Sequence, residues 1–360
     1  MNNKDMIQNE TSPRFDLLFI GAALVDSIIK GFDPEPVSAT GYRAESGSLC
    51  VGGEAVNGSV AAAKLGAKAA ILCHLGNDAA GAMIKSELKA HGVEIVPTAG
   101  GEAHGGDIDS TVRSEFRCVD NTPYAGSEVH SLVTDPSVRS EVPPTPVSTL
   151  FVAADGSRKS ITNAAHRYNF HPERYTGFFT DTKAIVLGSL FRAPFDDPAV
   201  ILSVVRAAHS AGVTVFADTK LPNFRKMTLS DLAEALPMID YITPNEDEAR
   251  FYTGENEPEK QADVFLDAGV RNVIIKLGPK GCYFKNREGS ICLPACKVRA
   301  VDATGAGDAF LAGFASELVR GSSVREALIF GNACGAVCCT AVGAGTALRD
   351  RAEVLKLSDQ

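Results

Sequence analysis

The feature that most constrains this chain is a repeated alternation of short apolar runs with longer helix-like segments, many of them closed by a glycine. The run 16–20 is apolar after its first residue and is stopped by Gly21, which suits a strand buried on both faces of a parallel sheet. An Ala-rich helix is expected over 54–65, with Gly66 where a glycine would end it. A strand over 69–75 and a helix over 79–91, ending at Gly92, repeat the unit. It returns as a strand over 184–187, a helix over 198–211 closed by Gly212, and strands over 213–217, 241–242 and 273–276. Such alternation predicts βαβ units, hence an α/β fold with a central, mostly parallel sheet flanked by helices.

Between residues 98 and 149 the pattern breaks. Gly, Ser, Asp, Thr and Pro dominate, alternation is confined to short runs such as 112–119, and Pro143-Pro144-Thr145-Pro146 punctuates the end. A small β-rich excursion with a long loop is expected there. The runs 151–154 and 159–162, joined through Asp155-Gly156, read as a hairpin. Hydrophobic residues make up 45% of the 360, enough for a sizeable core. A net charge of −9 argues against a nucleic-acid partner, whose phosphates need clustered Lys and Arg. It leaves a nucleotide open, because backbone N–H groups hold phosphate without net positive charge. The nine cysteines show no metal-ligand spacing and read as reduced thiols of a cytosolic protein. Residues 1–15 form a polar tail without a signal-like apolar stretch, and no apolar run is long enough to span a membrane. A cytoplasmic protein without a membrane partner is expected.

The strongest chemical signal is Asp302-Ala303-Thr304-Gly305-Ala306-Gly307-Asp308-Ala309-Phe310, running into an apolar helix-like stretch. Small residues at 305–307 let the backbone close around an anion, and a helix starting there points its free N–H groups and positive dipole end at it. Phosphoryl transfer needs such charge stabilisation, and an Asp at the helix entrance can accept the proton of an attacking hydroxyl. The plainer reading makes Asp308 a helix cap.

That stretch resembles the second signature of the ribokinase-like, or PfkB, carbohydrate kinases. Gly52-Gly53-Glu54-Ala55-Val56-Asn57 with Leu65-Gly66 resembles the first signature, and residues 75–81 continue the likeness. Thr243-Pro244-Asn245-Glu246-Asp247-Glu248 is similar to the family's Asn-x-x-Glu motif, and Lys276-Leu277-Gly278-Pro279-Lys280-Gly281 to its nucleotide loop. The resemblance implies a ribokinase-like domain over 16–355 that uses ATP and Mg²⁺ to phosphorylate a small sugar. It implies a β lid from about 40–50 and 98–162, with a loop insertion near 120–146 and a homodimer formed through the lid. By the same resemblance Asp308 is the catalytic base and Gly305, Ala306 and Gly307 the anion hole. Asp26, Gly52, Gly53 and Asn57 hold the sugar. Asn245 and Glu248 organise the Mg²⁺–phosphate network; Lys276, Gly278, Gly281 and Asn332 surround the nucleotide. Asp302 and Thr304, with carbonyls from 339–344, match a monovalent-cation site, K⁺ in many relatives. Without the resemblance, Asp26 is an ordinary acid and Gly52-Gly53 a turn. Asn245 and Glu248 would then begin a helix, and Asn332 would be a polar residue on an apolar one.

Three departures bear on the acceptor. Glu54 stands where ribokinases usually carry Lys, Asp218-Thr219-Lys220 replaces a common Asp-Pro-Asn, and the segment near 100–146 is longer than usual lid strands. An acceptor already carrying phosphate would need Arg or Lys, with Arg43, Arg113 and Arg158 as candidates. A nucleoside kinase of the same fold and a non-catalytic sugar binder are the alternatives. A nicotinamide-dependent oxidoreductase is disfavoured, because Gly21-Ala22-Ala23-Leu24-Val25-Asp26 lacks the glycine pattern that a dinucleotide needs.

Overall fold

The computed structural model describes residues 13–38, 41–98, 142–153, 158–162 and 170–358. In chain order the first strands are β1 (Phe15–Ile20), β2 (Leu24–Lys30), β3 (Asp33–Ser38), β4 (Gly41–Arg43), β5 (Ser46–Gly52), β6 (Ala69–Leu72) and β7 (Glu94–Ile95). After these come β8 (Val147–Val152), β9 (Arg158–Thr162), β10 (Thr182–Leu190), β11 (Thr214–Thr219) and β12 (Tyr241–Ile242). The last are β13 (Asn272–Lys276), β14 (Cys282–Asn286) and β15 (Ser290–Leu293). The helices are α1 (Glu54–Lys64), α2 (Ala79–Ala90), α3 (Pro198–Ser210), α4 (Glu246–Thr253), α5 (Pro258–Asp267), α6 (Ala306–Val319), α7 (Val324–Cys338) and α8 (Arg351–Ser358).

Nine strands make the main sheet in the order β15-β14-β13-β12-β11-β10-β1-β6-β7. From β7 to β13 every pairing is parallel, and β14 and β15 add an antiparallel edge. Side chains alternate across β1, so its two faces enter different cores. Leu17 and Phe19 pack with α1, α6 and α7, whereas Leu18 and Ile20 pack with α3 and α5. Close packing explains Gly58 in α1, where an added Cβ would lie 2.6 Å from the Phe19 ring. The predicted α/β architecture and the glycine helix ends are present, with Gly66, Gly92 and Gly212 all at positive φ.

A second sheet has the order β5-β2-β8-β9, beside a small β3–β4 hairpin. Asp26 follows the first strand and lies inside β2, in the second sheet. Strand β2 escaped notice because its seven residues mix apolar and polar types on both faces, and only Val25 is fully buried. The hairpin 151–162 is present as β8 and β9, with β8 starting earlier, at Val147. Its Asp155-Gly156 turn lies outside the described residues, as do Arg113, the run 112–119 and most of the insertion near 120–146. Strand β6 stops at Leu72 instead of residue 75, because the chain turns to bond with residues 143–145. The Gly76 N–H donates to Thr145 Oγ1 over 2.8 Å, and His74 Nε2 pairs with the Pro143 carbonyl at 3.0 Å.

Candidate active site

The carboxyl ends of the parallel strands supply one cluster of polar side chains, where ligands bind in open α/β sheets. At its centre α6 begins. Gly305 takes the left-handed conformation, φ 77°, and a Cβ there would lie 2.6 Å from the Ala344 methyl, so a side chain is excluded twice over. The Ala306 N–H donates to the Ala303 carbonyl over 3.2 Å, and Gly307 and Asp308 follow as the next amides at the start of α6. Asn57, in the first turn of α1, donates from Nδ2 to Asp308 Oδ2 over 2.8 Å. Two motifs 251 residues apart are thus joined by one hydrogen bond. Burial holds the Asp308 carboxyl above the ordinary Asp range, against the pull of the Lys220 ammonium and the Asn57 donor.

Behind this turn sits a buried charge network. Asp218, at the end of β11, is 2% exposed. Its Oδ1 accepts from Lys276 Nζ at 2.6 Å and from Thr243 Oγ1 at 2.9 Å. Its Oδ2 makes no hydrogen bond and faces Lys220 Nζ at 3.8 Å. Burial pushes this carboxyl up, but the two ammoniums outweigh it and leave Asp218 below its usual range. Glu248 Oε2 accepts from Thr219 Oγ1 at 2.9 Å and from the Asn245 N–H at 3.0 Å, while Asn245 Oδ1 accepts the Glu248 N–H at 2.9 Å. Asn245 and Glu248 therefore form a reciprocal helix cap, and the plainer reading of them holds alongside any other. Burial and the Asp218 charge raise the Glu248 carboxyl.

On the far side, Asp26 hydrogen bonds with Ser148 across β2 and β8, and burial raises its carboxyl. A Cβ at Gly52 would come 2.6 Å from Asp26 Oδ2 and displace that carboxylate; Gly53, at φ 99°, would strike the Ala22 carbonyl. Glu54 Oε1 accepts the Ala22 N–H over 2.8 Å, and burial raises this carboxyl too. Elsewhere, Gly278 and Gly281 bound the turn after β13, and Asn332 donates to the Pro294 carbonyl at 3.3 Å, beside the end of β15. Asp302 Oδ1 accepts from Thr304 N and Oγ1 at 3.0 and 2.7 Å, and Oδ2 from Gly343 N at 3.0 Å. That carboxylate stitches residues 302–304 to the loop after α7. Of the candidate phosphate-binding arginines, Arg43 is exposed, and the side chains of Arg113 and Arg158 lie outside the described residues.

Sequence reasoning gave no role to Asp218, Lys220, Thr219, Thr243 or Ser148. A signal existed for the first two: they stand at the end of an apolar strand, at the same sheet edge as Asn245.

A family model for pfkB family carbohydrate kinases matches residues 16–102 and 128–351. The chain belongs to that family. A ribokinase from Haemophilus influenzae is 41% identical over 133 residues, 36% of this chain and 43% of the relative. A 2-dehydro-3-deoxygluconokinase from Bacillus subtilis is 37% identical over 142 residues, 37% of this chain and 43% of the relative. An Arabidopsis thaliana ribokinase is 29% identical over 375 aligned positions, 99% of this chain and 83% of the relative. The solved A. thaliana ribokinase with ribose and ATP shares the fold at TM-score 0.74 and 23% identity, covering 97% of this chain and 99% of that one. An E. coli ribokinase II with ATP and Mg²⁺ does so at 0.66 and 20%, covering 96% and 99%. The family chemistry is ATP-dependent phosphorylation of a sugar, and this carbohydrate kinase is read on that basis. Among its described residues no helix is long and apolar enough to cross a membrane.

Proposed function

We propose that this carbohydrate kinase phosphorylates a hydroxyl of a small neutral sugar, with Asp308 as general base. The observation that carries the reading is the Asn57–Asp308 hydrogen bond beside the left-handed Gly305 turn. Asp308 takes the hydroxyl proton as the sugar oxygen attacks the γ-phosphorus; the bond from that phosphorus to the β,γ-bridging oxygen breaks, and ADP leaves with its electron pair. The amides of Gly305, Ala306 and Gly307 stabilise charge on the moving phosphoryl oxygens. Lys276, Gly278, Gly281 and Asn332 flank the nucleotide. Asn245 and Glu248 would help to hold Mg²⁺, which neutralises phosphate charge when bound.

Three carboxylates, Asp26, Glu54 and Asp308, turn towards the acceptor. Lys220 is the foremost cation acting on Asp308 and also acts on Glu54, and it already faces Asp218. A neutral polyol fits that environment and an acidic acceptor does not. ATP consumption over ribose, fructose, nucleosides and 2-dehydro-3-deoxygluconate tests this. Turnover is expected on a neutral sugar, and preference for the acid would refute the reading.

The second sheet serves as the lid. Its register gives it two faces: Asp26, Ser148 and Thr162 share one cross-strand row, and Leu49, Ser27, Thr149 and Ile161 the next. The polar row turns to the acceptor. Leu49 and Ile161, 58% and 67% exposed, turn to a second copy of the chain. The reading extends to a monovalent cation beside Asp302 and Thr304; potassium dependence of turnover and sedimentation of the intact protein check these two points. The eight described cysteines are all unpaired, which supports a reducing, cytoplasmic setting.

A further inference from the structure

Lys220 is held more carefully than an incidental cation needs to be. Its backbone is fixed on both sides: its N–H donates to the Leu190 carbonyl at 3.1 Å, and its carbonyl accepts from Tyr252 Oη at 2.6 Å. Leu190 sits between Ser189 and Phe191, two non-glycine residues at φ 56° and 76°, a conformation that persists only where surroundings impose it. The Phe191 ring stacks on Tyr252 with centroids 3.9 Å apart. A strained strand end and an aromatic pair therefore converge on the backbone of one lysine. Its ammonium enters the cleft and meets Asp218 Oδ2 at 3.8 Å, beyond hydrogen-bond length. Asp218 is already committed, through its other oxygen, to Lys276 and Thr243. Lys220 thus carries three donors and no hydrogen bond from its ammonium to any described residue.

We propose that Lys220 is a catalytic residue that donates from Nζ to the transferring phosphoryl group, across from the Gly305–Gly307 amides. The inference rests on the phosphoryl-transfer reading above. Lys220 keeps its proton throughout; it meets the charge that builds on phosphoryl oxygens as the β,γ bond breaks. It has a second effect on Asp308. The groups facing that carboxylate are Asn57 and Glu54 on α1, Asp218 on β11 and Lys276 on β13, with Lys220 just past β11; Glu248 on α4 faces Lys220. Burial and the Asp218 charge favour its protonated form, and Lys220 is the leading counterweight. A base that must be ionised before it can work depends on that lysine.

The test compares Lys220→Met, Lys220→Arg and Tyr252→Phe with the wild-type protein. Lys220→Met is expected to lose about a hundredfold in kcat, the scale of one lost transition-state donor, with sugar KM changed less than about threefold. The acidic limb of its kcat/KM profile should move to higher pH, and Lys220→Arg should return that limb towards the wild-type position. Tyr252→Phe, which frees the Lys220 carbonyl without touching the ammonium, should lower kcat several-fold and leave the limb in place. A folded Lys220→Met enzyme with an unmoved acidic limb or near-normal kcat overturns the proposal. If Lys220→Met does not fold, an arginine variant with a lowered kcat and the acidic limb displaced to higher pH overturns it equally. Wild-type protein that phosphorylates no sugar would fail the functional reading as a whole, whereas an active wild type with an active Lys220→Met fails Lys220 alone.

Discussion

The two sides of the cleft are built from different materials. The side proposed for phosphate stands on the ends of buried parallel strands and on the first turns of α4 and α6. Asp218 and Glu248 there are 2% and 5% exposed, and hydrogen bonds tie them to Lys276, Thr243 and Thr219 on other elements. The side proposed for the sugar stands on a four-stranded sheet in which Val25 is the one fully buried apolar side chain among the described residues. A site that stabilises a transition state must hold its charges still, because its advantage lies in dipoles that need no reorganisation. A site that admits and then encloses a substrate must be able to yield, and such parts are drawn from the less stable regions of a fold.

The sharpest way to break this comparison is Asp308→Asn. The amide keeps an acceptor for Asn57 but cannot take a proton, so kcat should fall by at least about a hundredfold. Stability should behave in the opposite direction. Because burial raises the Asp308 carboxyl, its ionised form costs folding energy at neutral pH; that cost vanishes below the ordinary Asp range and appears as pH rises through the folded value. The variant should melt at or above the wild-type temperature and bind ADP normally. A marked drop in melting temperature with modest loss of turnover would make Asp308 a structural cap.

Asp26→Ala probes the other side. Loss of hydrogen bonds to a charged acceptor should weaken sugar binding by about 1.5–3 kcal/mol, measured by calorimetry, with ADP affinity unchanged. Equal weakening of both ligands would erase the distinction between the two sides.

The same distinction governs what could be read from sequence. The main sheet was legible because strands buried on both faces are continuously apolar and helices end at glycines with positive φ. The phosphate turn was legible because Gly305 has no substitute where Ala344 approaches it. Strand β2 was not, since a half-exposed strand in a thin sheet carries no strong period. Asp218 and Lys220 were visible only as an odd tripeptide. Their meaning comes from Lys276, 58 residues from Asp218, and from Asp308, and no local pattern encodes such encounters.

The smallest expected effect lies at the strap joining the two regions. Asp78 caps α2 by accepting the Gly81 N–H on Oδ1 at 2.8 Å, and accepts the Thr145 N–H on Oδ2 at 2.7 Å. Thr145 Oγ1 in turn accepts the Gly76 N–H, and two residues later the chain enters β8, a central strand of the second sheet. Asp78→Ala should cost about 1–2 kcal/mol, the scale of a lost cap. If the strap anchors the lid, amide exchange should accelerate in β8 and β9 more than in β1 or β10. Asp78→Asn separates the two roles, since its Oδ1 can still cap α2 while its NH₂ group cannot accept from Thr145. Burial pushes the Asp78 carboxyl up, but its hydrogen bonds prevail and hold it below the usual range. Its contribution is therefore complete above the unfolded Asp value of about 4 and is lost as pH falls through the lower folded value. Wild type and variant should converge in stability in acid and separate at neutral pH. Equal acceleration across β1, β8 and β10 would mean that Asp78 supports the whole fold, and that the boundary between the rigid and yielding sides lies elsewhere.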